Sequence, residues 1–463
     1  MLKTEVAIIG AGPGGYVAAI RARQLGLQVT LIEREAVGGV CLNVGCIPSK
    51  ALLTLASHRR AIEKFQGSGI QAAEVTVDAK AIFKQVGKTV KQLTGGVKQL
   101  LKANGVDLIQ ATARFKDAHT LVLAHEEGEE ELRFEHAIIA TGSKPQSVAA
   151  WPFSERIVDF TTLLGQKTIP ERLTVVGVDT YGLELAQAYA GLGSDVSVVL
   201  MDPKAPLAHL SAPVAKALEK ELKKSGLKFV RPDGDLKLEE QAASVVTSFT
   251  RKGETRLIES DQVLLSVGRE VATQALNLEA AGVYAEAAGD IPVDEQGRTS
   301  QPHIYAIGDV TGAPFLAHRA SYEATVVAAV IAGQDVQIDY LAMPQVVFTE
   351  PEVATAGFSE AEAQAAGLEV QAKRFPYAAN GRALTYQATA GYVNLIAQAD
   401  TGRLVGAEIV GLGASNMINE LTLAMESGHT IEDLALTIHP HPTLGENIME
   451  ASEAWLGLPI HTK

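Results

Sequence analysis

Short uninterrupted apolar runs, each followed by glycines and then by a stretch of helical period, recur along the chain. The first is EVAIIG (5–10), leading into AGPGGYVAAIRARQLGL (11–27) and QVTLIE (28–33). A continuous apolar run of this length predicts a strand buried on both faces, and the alanine-rich segment after the glycines predicts a helix. The unit therefore reads strand, tight turn, helix, strand. The same layout returns in RLTVVG (172–177), VDTYGLELAQAYAGLG (178–193) and SDVSVVL (194–200). Twenty-three residues separate Gly10 from Glu33, and twenty-three separate Gly177 from Leu200. Equal spacing predicts two related βαβ units, each at the heart of its own parallel sheet.

Between the units lie a lysine-dotted helical segment (81–105) and a hairpin-like segment with an acidic tip, AHEEGEEELRF (124–134). Both read as solvated faces. HAIIATGS (136–143) reads as the return of the first unit and QVLLSVGR (262–269) as the return of the second; IYAIGDVTG (304–312) is a further strand ending in glycine and an acid. After about residue 342 the pattern changes to strands such as GYVNLIAQ and LVGAEIVG, followed by helical INELTLAMESG. The expected fold class is α/β, with two Rossmann-like nucleotide-binding domains and a separate α+β domain at the carboxy end. The expected divisions are 1–145 with 271–341, then 146–270, then 342–463.

Composition narrows the function. The chain has 463 residues, 47% hydrophobic and 20% charged, which is ordinary for a globular protein with a large core. A net charge of −14 argues against nucleic acid and against an anionic membrane surface as partners. The apolar run around Ala324–Ala332 is far shorter than the ~20 residues a bilayer requires, so no membrane span is expected. A strand pattern begins almost at the first residue, which predicts no leader segment. With only two cysteines the chain does not resemble a secreted disulfide framework, and a cytoplasmic location is expected.

Three motifs carry candidate chemistry. In GAGPGG, Gly10, Gly12 and Gly15 lie between a strand and a helix, with Glu33 ending the next strand. Glycines there permit a tight turn and let backbone approach a pyrophosphate, the helix amino end offers unpaired N–H groups, and Glu33 can accept from a ribose hydroxyl. The two cysteines, Cys41 and Cys46, fall in GGVCLNVGCIPSK (38–50). In an unbroken helix their Cα atoms would stand roughly 8.6 Å apart, against the 4.4–6.8 Å or so that a disulfide needs. A bond between them requires a distorted turn, which Gly45 permits. A strained, short-loop disulfide is easily reduced, which fits a redox role better than a structural one. A zinc site would need further ligands, and two inert buried thiols fit the flanking glycines poorly. Near the end, HPHPTLGE (439–446) offers a histidine base and an acid, His441 with Glu446, although Thr443 and Glu446 also match a capping box. Spacing alone does not choose between His441 and His439.

These segments together resemble the dihydrolipoamide dehydrogenase family of flavin-dependent disulfide oxidoreductases over nearly the whole chain. The resemblance implies a homodimer, FAD in the first domain, NAD in the second, a carboxy-terminal dimerisation domain, and a lipoyl-bearing protein as partner. It further implies that Cys46 lies against the flavin and Cys41 exchanges with the lipoyl sulfur. His441 of the partner subunit would be the acid–base, held by Glu446. Lys50, Thr141, Gly142 and Asp309 would complete the FAD site, and Gly177, Gly182, Glu184 and Gly268 the NAD site, with Glu184 pairing to Lys50. The second glycine motif departs from the family: Asp179 replaces the middle glycine and Leu200 the ribose-binding acid, with Asp202 two residues further on. A carboxylate facing a pyrophosphate costs about 1–4 kcal/mol, and a lost charged hydrogen bond about 1.5–3 kcal/mol. Affinity for NAD is then lowered by two orders of magnitude or more. The same lipoyl chemistry with a different electron acceptor is the alternative this raises. A non-catalytic FAD subunit of a larger assembly is a third reading, against which intact Cys41, Cys46, His441 and Glu446 speak.

Overall fold

The structure is a computed structural model and describes residues 1–73, 75–202, 207 and 210–462. Its first sheet has a parallel core in the order Asp107–Gln110, Val29–Glu33, Leu2–Ile9, Gly128–Ile139, Ile304–Ala306. Apolar runs form these strands because both faces are covered: Ile8, paired with Leu31 on one side and Ile138 on the other, is fully buried, as are both partners. The acidic-tipped segment is the antiparallel hairpin Thr120–His125 with Gly128–Ile139, and the lysine-dotted segment is the helix Ala79–Ala103. The strand Ile304–Ala306 joins this first sheet from far along the chain, because the second unit is inserted between.

That second unit is again parallel, in the order Lys228–Val230, Asp195–Val199, Arg172–Val176, Gln262–Leu265, Ile157–Val158. A three-stranded antiparallel sheet, Leu236–Glu240, Val245–Arg251 and Glu254–Ser260, stands beside it. The chain leaves the first unit along Ser143–Pro145 and returns along Arg269–Val271, and these two short strands pair antiparallel. The carboxy-terminal region is a five-stranded antiparallel sheet, Gln345–Val347, Glu352–Gly357, Leu404–Gly411, Tyr392–Gln398 and Val370–Pro376. The helices Ala414–Glu426 and Glu446–Trp455 pack on it. The expected α/β class, with two Rossmann-like units and a third domain, is what the chain forms.

The cysteine segment joins the units. It forms two helices, Gly39–Val44 and Cys46–Phe65, broken at Gly45. Pro48 explains the break: it has no N–H to donate to the Val44 carbonyl, yet it is tolerated in the first turn of a new helix. That helix starts with the Ser49 N–H donating to the Gly45 carbonyl at 3.0 Å. Leu52, Leu53 and Ala56 of the second helix are buried with Leu183, Ala186 and Tyr189 of the helix Thr180–Leu192. The two helices approach so closely that a Cβ on Gly191 would lie 2.8 Å from that of Ala56.

By length and composition alone the stretch Gly39–Phe65 is apolar enough to cross a membrane. It escapes a reading by apolar runs because glycines, Asn43 and Ser49 interrupt it, and the structure divides it into two helices, the second packed in the core between the units.

Because Leu52 is fully buried in that junction, Leu52→Ala should destabilise the protein by about 2–5 kcal/mol, read as a lowered urea midpoint.

Candidate active site

Each glycine of the first motif has its own task. Gly10 has φ +98°, and a Cβ there would lie 2.5 Å from the Ala140 carbonyl oxygen; a Cβ on Gly15 would lie 1.8 Å from the Gly10 oxygen. These two glycines are required by packing. Gly12 is different: a Cβ there meets nothing within 4 Å, and as the residue capping the helix Pro13–Gln24 it supplies no side-chain bond to the first amides. The helix end and its positive dipole are thus open to an anion. Glu33 accepts from Ala11 N–H at 2.8 Å and from Glu35 N–H at 2.7 Å, fixing its carboxylate at the rim of the same cavity. Gly10, Gly12, Glu33, Cys41, Cys46, Thr141, Gly142 and Asp309 all line that one cavity. The residues present fit a dinucleotide with a redox ring: an uncapped helix end, a glycine with space in front of it, and two thiols in the same cavity.

Both cysteines are thiols that flank the break at Gly45, and each shifts the other's titration. Gly39, which opens the first short helix at φ +56°, sits against the glycine loop; a Cβ there would lie 2.8 Å from Gly12 Cα. The pair is electrostatically unequal. The Cys41 hydrogen bond holds the Cys46 thiol down to about 6 against the opposing effect of burial, with Tyr181, Lys50 and Arg269 lowering it further. Its place in the first turn of a twenty-residue helix works in the same direction. Cys41 is pushed well above the ordinary thiol range, first by its bond to Cys46 and then by burial. Cys46 is therefore the thiolate and Cys41 the proton holder.

Two residues of this site were not anticipated, Tyr181 and Arg269. The Tyr181 hydroxyl lies 3.6 Å from Cys46 Sγ, and burial raises its pKa so that it remains a donor. Its ring stacks on Phe160 with centroids 4.3 Å apart, and the Arg269 guanidinium lies over both rings. Arg269 also pairs with Asp309 at 3.5 Å and donates to the Ser143 carbonyl at 3.3 Å. Asp309 in turn accepts from the Ser143 hydroxyl. An arginine directly after Gly268 at the end of a returning strand was the available signal.

The other expected residues are placed as follows. Lys50 and Glu184 meet at 2.5 Å, with Glu184 fully buried and also accepting from Phe348 N–H at 3.0 Å. Lys50 opens onto a neighbouring cavity shared with Phe348 and Glu350, not onto the thiol cavity. The Thr141 hydroxyl donates to the Ala272 carbonyl at 2.8 Å, stitching the two crossing strands, while Gly142 at φ +72° leaves open space before it. Gly268, at φ +117°, accepts from Gln146 N–H at 3.0 Å and lies at the crossing, off the thiol cavity. Gly177 and Gly182 both pack on Ser266: Cβ atoms there would stand 2.1 Å from its carbonyl and 2.4 Å from its hydroxyl.

The two histidines that spacing left equivalent differ in their surroundings. His439 uses both ring nitrogens, one on Glu420 at 3.0 Å and one on the Thr437 carbonyl at 2.9 Å, and its side chain is 5% exposed. His441 bonds Glu446 through Nδ1 at 2.8 Å, and its side chain is 79% exposed. Glu446 is held below the usual carboxylate range despite the opposing effect of burial, by the Thr443 amide and by His441. This pair stands outside the cavity that holds the thiols of the same chain. Leu200 and Asp202 both lie past the end of the strand at Val199, and Leu200 is fully buried.

Two βαβ units gathered around an activated dithiol define a redox enzyme of the disulfide oxidoreductase class. Residues 4–324 match the family profile described as pyridine nucleotide-disulphide oxidoreductase, and 343–452 match its dimerisation domain. The chain belongs to the pyridine nucleotide-disulphide oxidoreductase family. It is 46% identical over 461 residues to the dihydrolipoyl dehydrogenase of Geobacillus stearothermophilus, covering 99% of this chain and 98% of that one. It is 44% identical over 466 residues to that of Haloferax volcanii, covering 99% and 98%. Among solved structures, LpdA of Mycobacterium tuberculosis superposes with a TM-score of 0.89 at 26% identity, covering 98% of this chain and 99% of that one. The HOCl-induced flavoprotein disulfide reductase RclA of Escherichia coli superposes with a TM-score of 0.88 at 25% identity, covering 98% and 100%.

Two outcomes follow from this geometry. In the reduced protein, alkylation of Cys46 should titrate in with a midpoint near pH 6, because a lowered pKa leaves the thiolate dominant above it. Cys41 should stay protonated and slow through the neutral range, and Tyr181→Phe should move the Cys46 midpoint upward; peptide mass spectrometry across pH reads all three. For the glycines, Gly15→Ala should cost about 1–3 kcal/mol of stability through overpacking. Gly12→Ala should cost less than about 1 kcal/mol yet purify with markedly less bound flavin by absorbance.

Proposed function

We propose that this chain oxidises protein-bound dihydrolipoyl groups through Cys41–Cys46, with FAD held in the first unit and NAD as the second substrate. The observation that carries the reading is the unequal thiol pair beside an uncapped dinucleotide cradle. A lipoyl thiolate attacks Cys41 Sγ of the oxidised pair, forming a mixed disulfide and expelling Cys46 as thiolate. A low-pKa thiol is the better leaving group, which assigns departure to Cys46 and exchange to Cys41. The second lipoyl thiol gives its proton to His441 of the partner subunit and attacks the lipoyl sulfur of the mixed disulfide. The lipoyl ring closes, Cys41 leaves and takes up a proton, and two electrons now reside in the dithiol. Held in the first unit by the glycine turn and Glu33, FAD would supply the two-electron acceptor for this dithiol and hydride transfer to NAD.

The remaining residues take supporting roles. Gly10, Gly12, Gly15 and Glu33 hold the pyrophosphate and adenosine ribose. Asp309, kept in place by Ser143 and Arg269, would hydrogen-bond the ribityl chain, with Thr141 and Gly142 lining the same cavity. The Lys50–Glu184 pair fixes charge on the nicotinamide side. Glu446 fixes the tautomer and orientation of His441, leaving Nε2 to exchange protons.

A homodimer follows from the same geometry. His441 faces outward, in a region where Leu436, Ile438, Leu458 and Ile460 are exposed, Ile438 at 94%. A second copy covering this surface removes apolar area from water and brings the histidine to a thiol cavity that lacks one. A cytoplasmic location is inferred from chemistry that cycles a labile disulfide, which a reducing compartment favours.

Anaerobic titration of the oxidised protein with dihydrolipoamide should reduce it by two electrons and raise a long-wavelength charge-transfer band. Absence of that band would count decisively against the reading. Cys46→Ser should abolish the band, and His441→Gln should slow lipoyl turnover by about 10²–10⁴-fold. Ile438→Asp should shift sedimentation toward monomer.

A further inference from the structure

The chain contains its own control for nucleotide binding, because the same turn occurs twice. In both copies the outer glycines are demanded by packing: Gly10 against Ala140, Gly15 against the Gly10 carbonyl, Gly177 and Gly182 against Ser266. The middle position is where the copies part. Gly12 leaves the first helix end uncapped and faces open space. Asp179 instead caps the helix Thr180–Leu192 with its own side chain, Oδ1 accepting from Gly182 N–H at 2.8 Å. The same oxygen accepts from the Ser266 hydroxyl, where the first copy has the methyl of Ala140. The next strand ends in Glu33 in one copy; in the other it ends at Val199 and is followed by buried Leu200.

We infer that Asp179, locked by Ser266, is an intramolecular competitor for the dinucleotide pyrophosphate and sets this chain's discrimination against pyridine nucleotides. The carboxylate satisfies a helix-end amide that an anionic ligand would otherwise use, and it brings a like charge to the place of the pyrophosphate. A dinucleotide must displace the Asp179 cap to bind. Leu200 adds to this by offering no acceptor to the adenosine ribose. The consequence is weak, readily reversible engagement of NAD, with nucleotide binding as the step this turn controls. The inference rests on the functional reading only in naming NAD as the competing ligand.

The test is calorimetric titration of the FAD-loaded enzyme with NAD⁺ and with ADP-ribose, which carries the pyrophosphate without the nicotinamide. Asp179→Gly should tighten both by about ten- to a hundredfold. Asp179→Ser, which keeps a neutral cap and so guards against misfolding of the glycine variant, should recover most of that gain, and Ser266→Ala a smaller part. Equal dissociation constants in wild type and Asp179→Ser would overturn the inference, as would low-micromolar binding of ADP-ribose to the wild type. Reduction of the wild-type flavin by dihydrolipoamide reports separately on the lipoyl reading, so the two ideas fail independently.

Discussion

The interruption of one helix at Gly45 is the constraint on which the chemistry depends. Were Gly39–Phe65 a single helix, Cys41 and Cys46 would stand roughly 8.6 Å apart at Cα on different faces, and neither disulfide nor thiol–thiolate contact could form. Pro48 denies the Val44 carbonyl its donor, so the ladder stops and starts again at Cys46. That single break brings the sulfurs together and places Cys46 in the first turn of a long helix, where dipole and free amides favour a thiolate. Packing then fixes the pair in space: Gly39 abuts Gly12 on one side, and Leu52, Leu53 and Ala56 are buried against the second unit on the other.

Charge near the thiols is balanced rather than concentrated. Lys50 and Arg269 both lower Cys46, yet each is also shared, Lys50 with buried Glu184 and Arg269 with Asp309. The largest influence is the short-range bond from Cys41. Oxidation joins both sulfurs in the disulfide, so the thiolate and the partner that supports it exist only in the reduced state. A stronger fixed cation would hold the thiolate permanently and resist reoxidation. The arrangement suits a couple that must turn over in both directions.

How much of this was legible follows from sequence distance. The two βαβ units, the paired cysteines and the first glycine motif are local patterns, and each appeared where periodicity and spacing placed it. The Tyr181–Cys46 contact spans 135 residues, and no local pattern announces it. Arg269 is likewise read as the end of a strand until the crossing of Ser143–Pro145 with Arg269–Val271 brings it beside Asp309. His441 and His439 are indistinguishable in HPHPTLGE; only the tertiary partners, Glu420 and the Thr437 carbonyl, show that one ring is fully engaged. Asp202 was a reasonable substitute acid until the strand ended at Val199.

The two glycine turns also separate what a motif does for folding from what it does for a ligand. Any Cβ added to the outer glycines would come within 2.5 Å of backbone oxygens at Gly10, Gly15 and Gly177 and of the Ser266 hydroxyl at Gly182, so the fold requires them whether or not a nucleotide ever binds. The middle position has no such demand and can change freely, which is where the second copy has changed. The second unit is retained regardless, because the helix Thr180–Leu192 serves the thiol site with its sides. Tyr181 reaches Cys46, Glu184 anchors Lys50, and Leu183, Ala186 and Tyr189 support the cysteine helix. Its amino end is therefore the one part of that helix able to lose ligand affinity without disturbing the dithiol, and nucleotide affinity and thiol chemistry are separable properties of a single element.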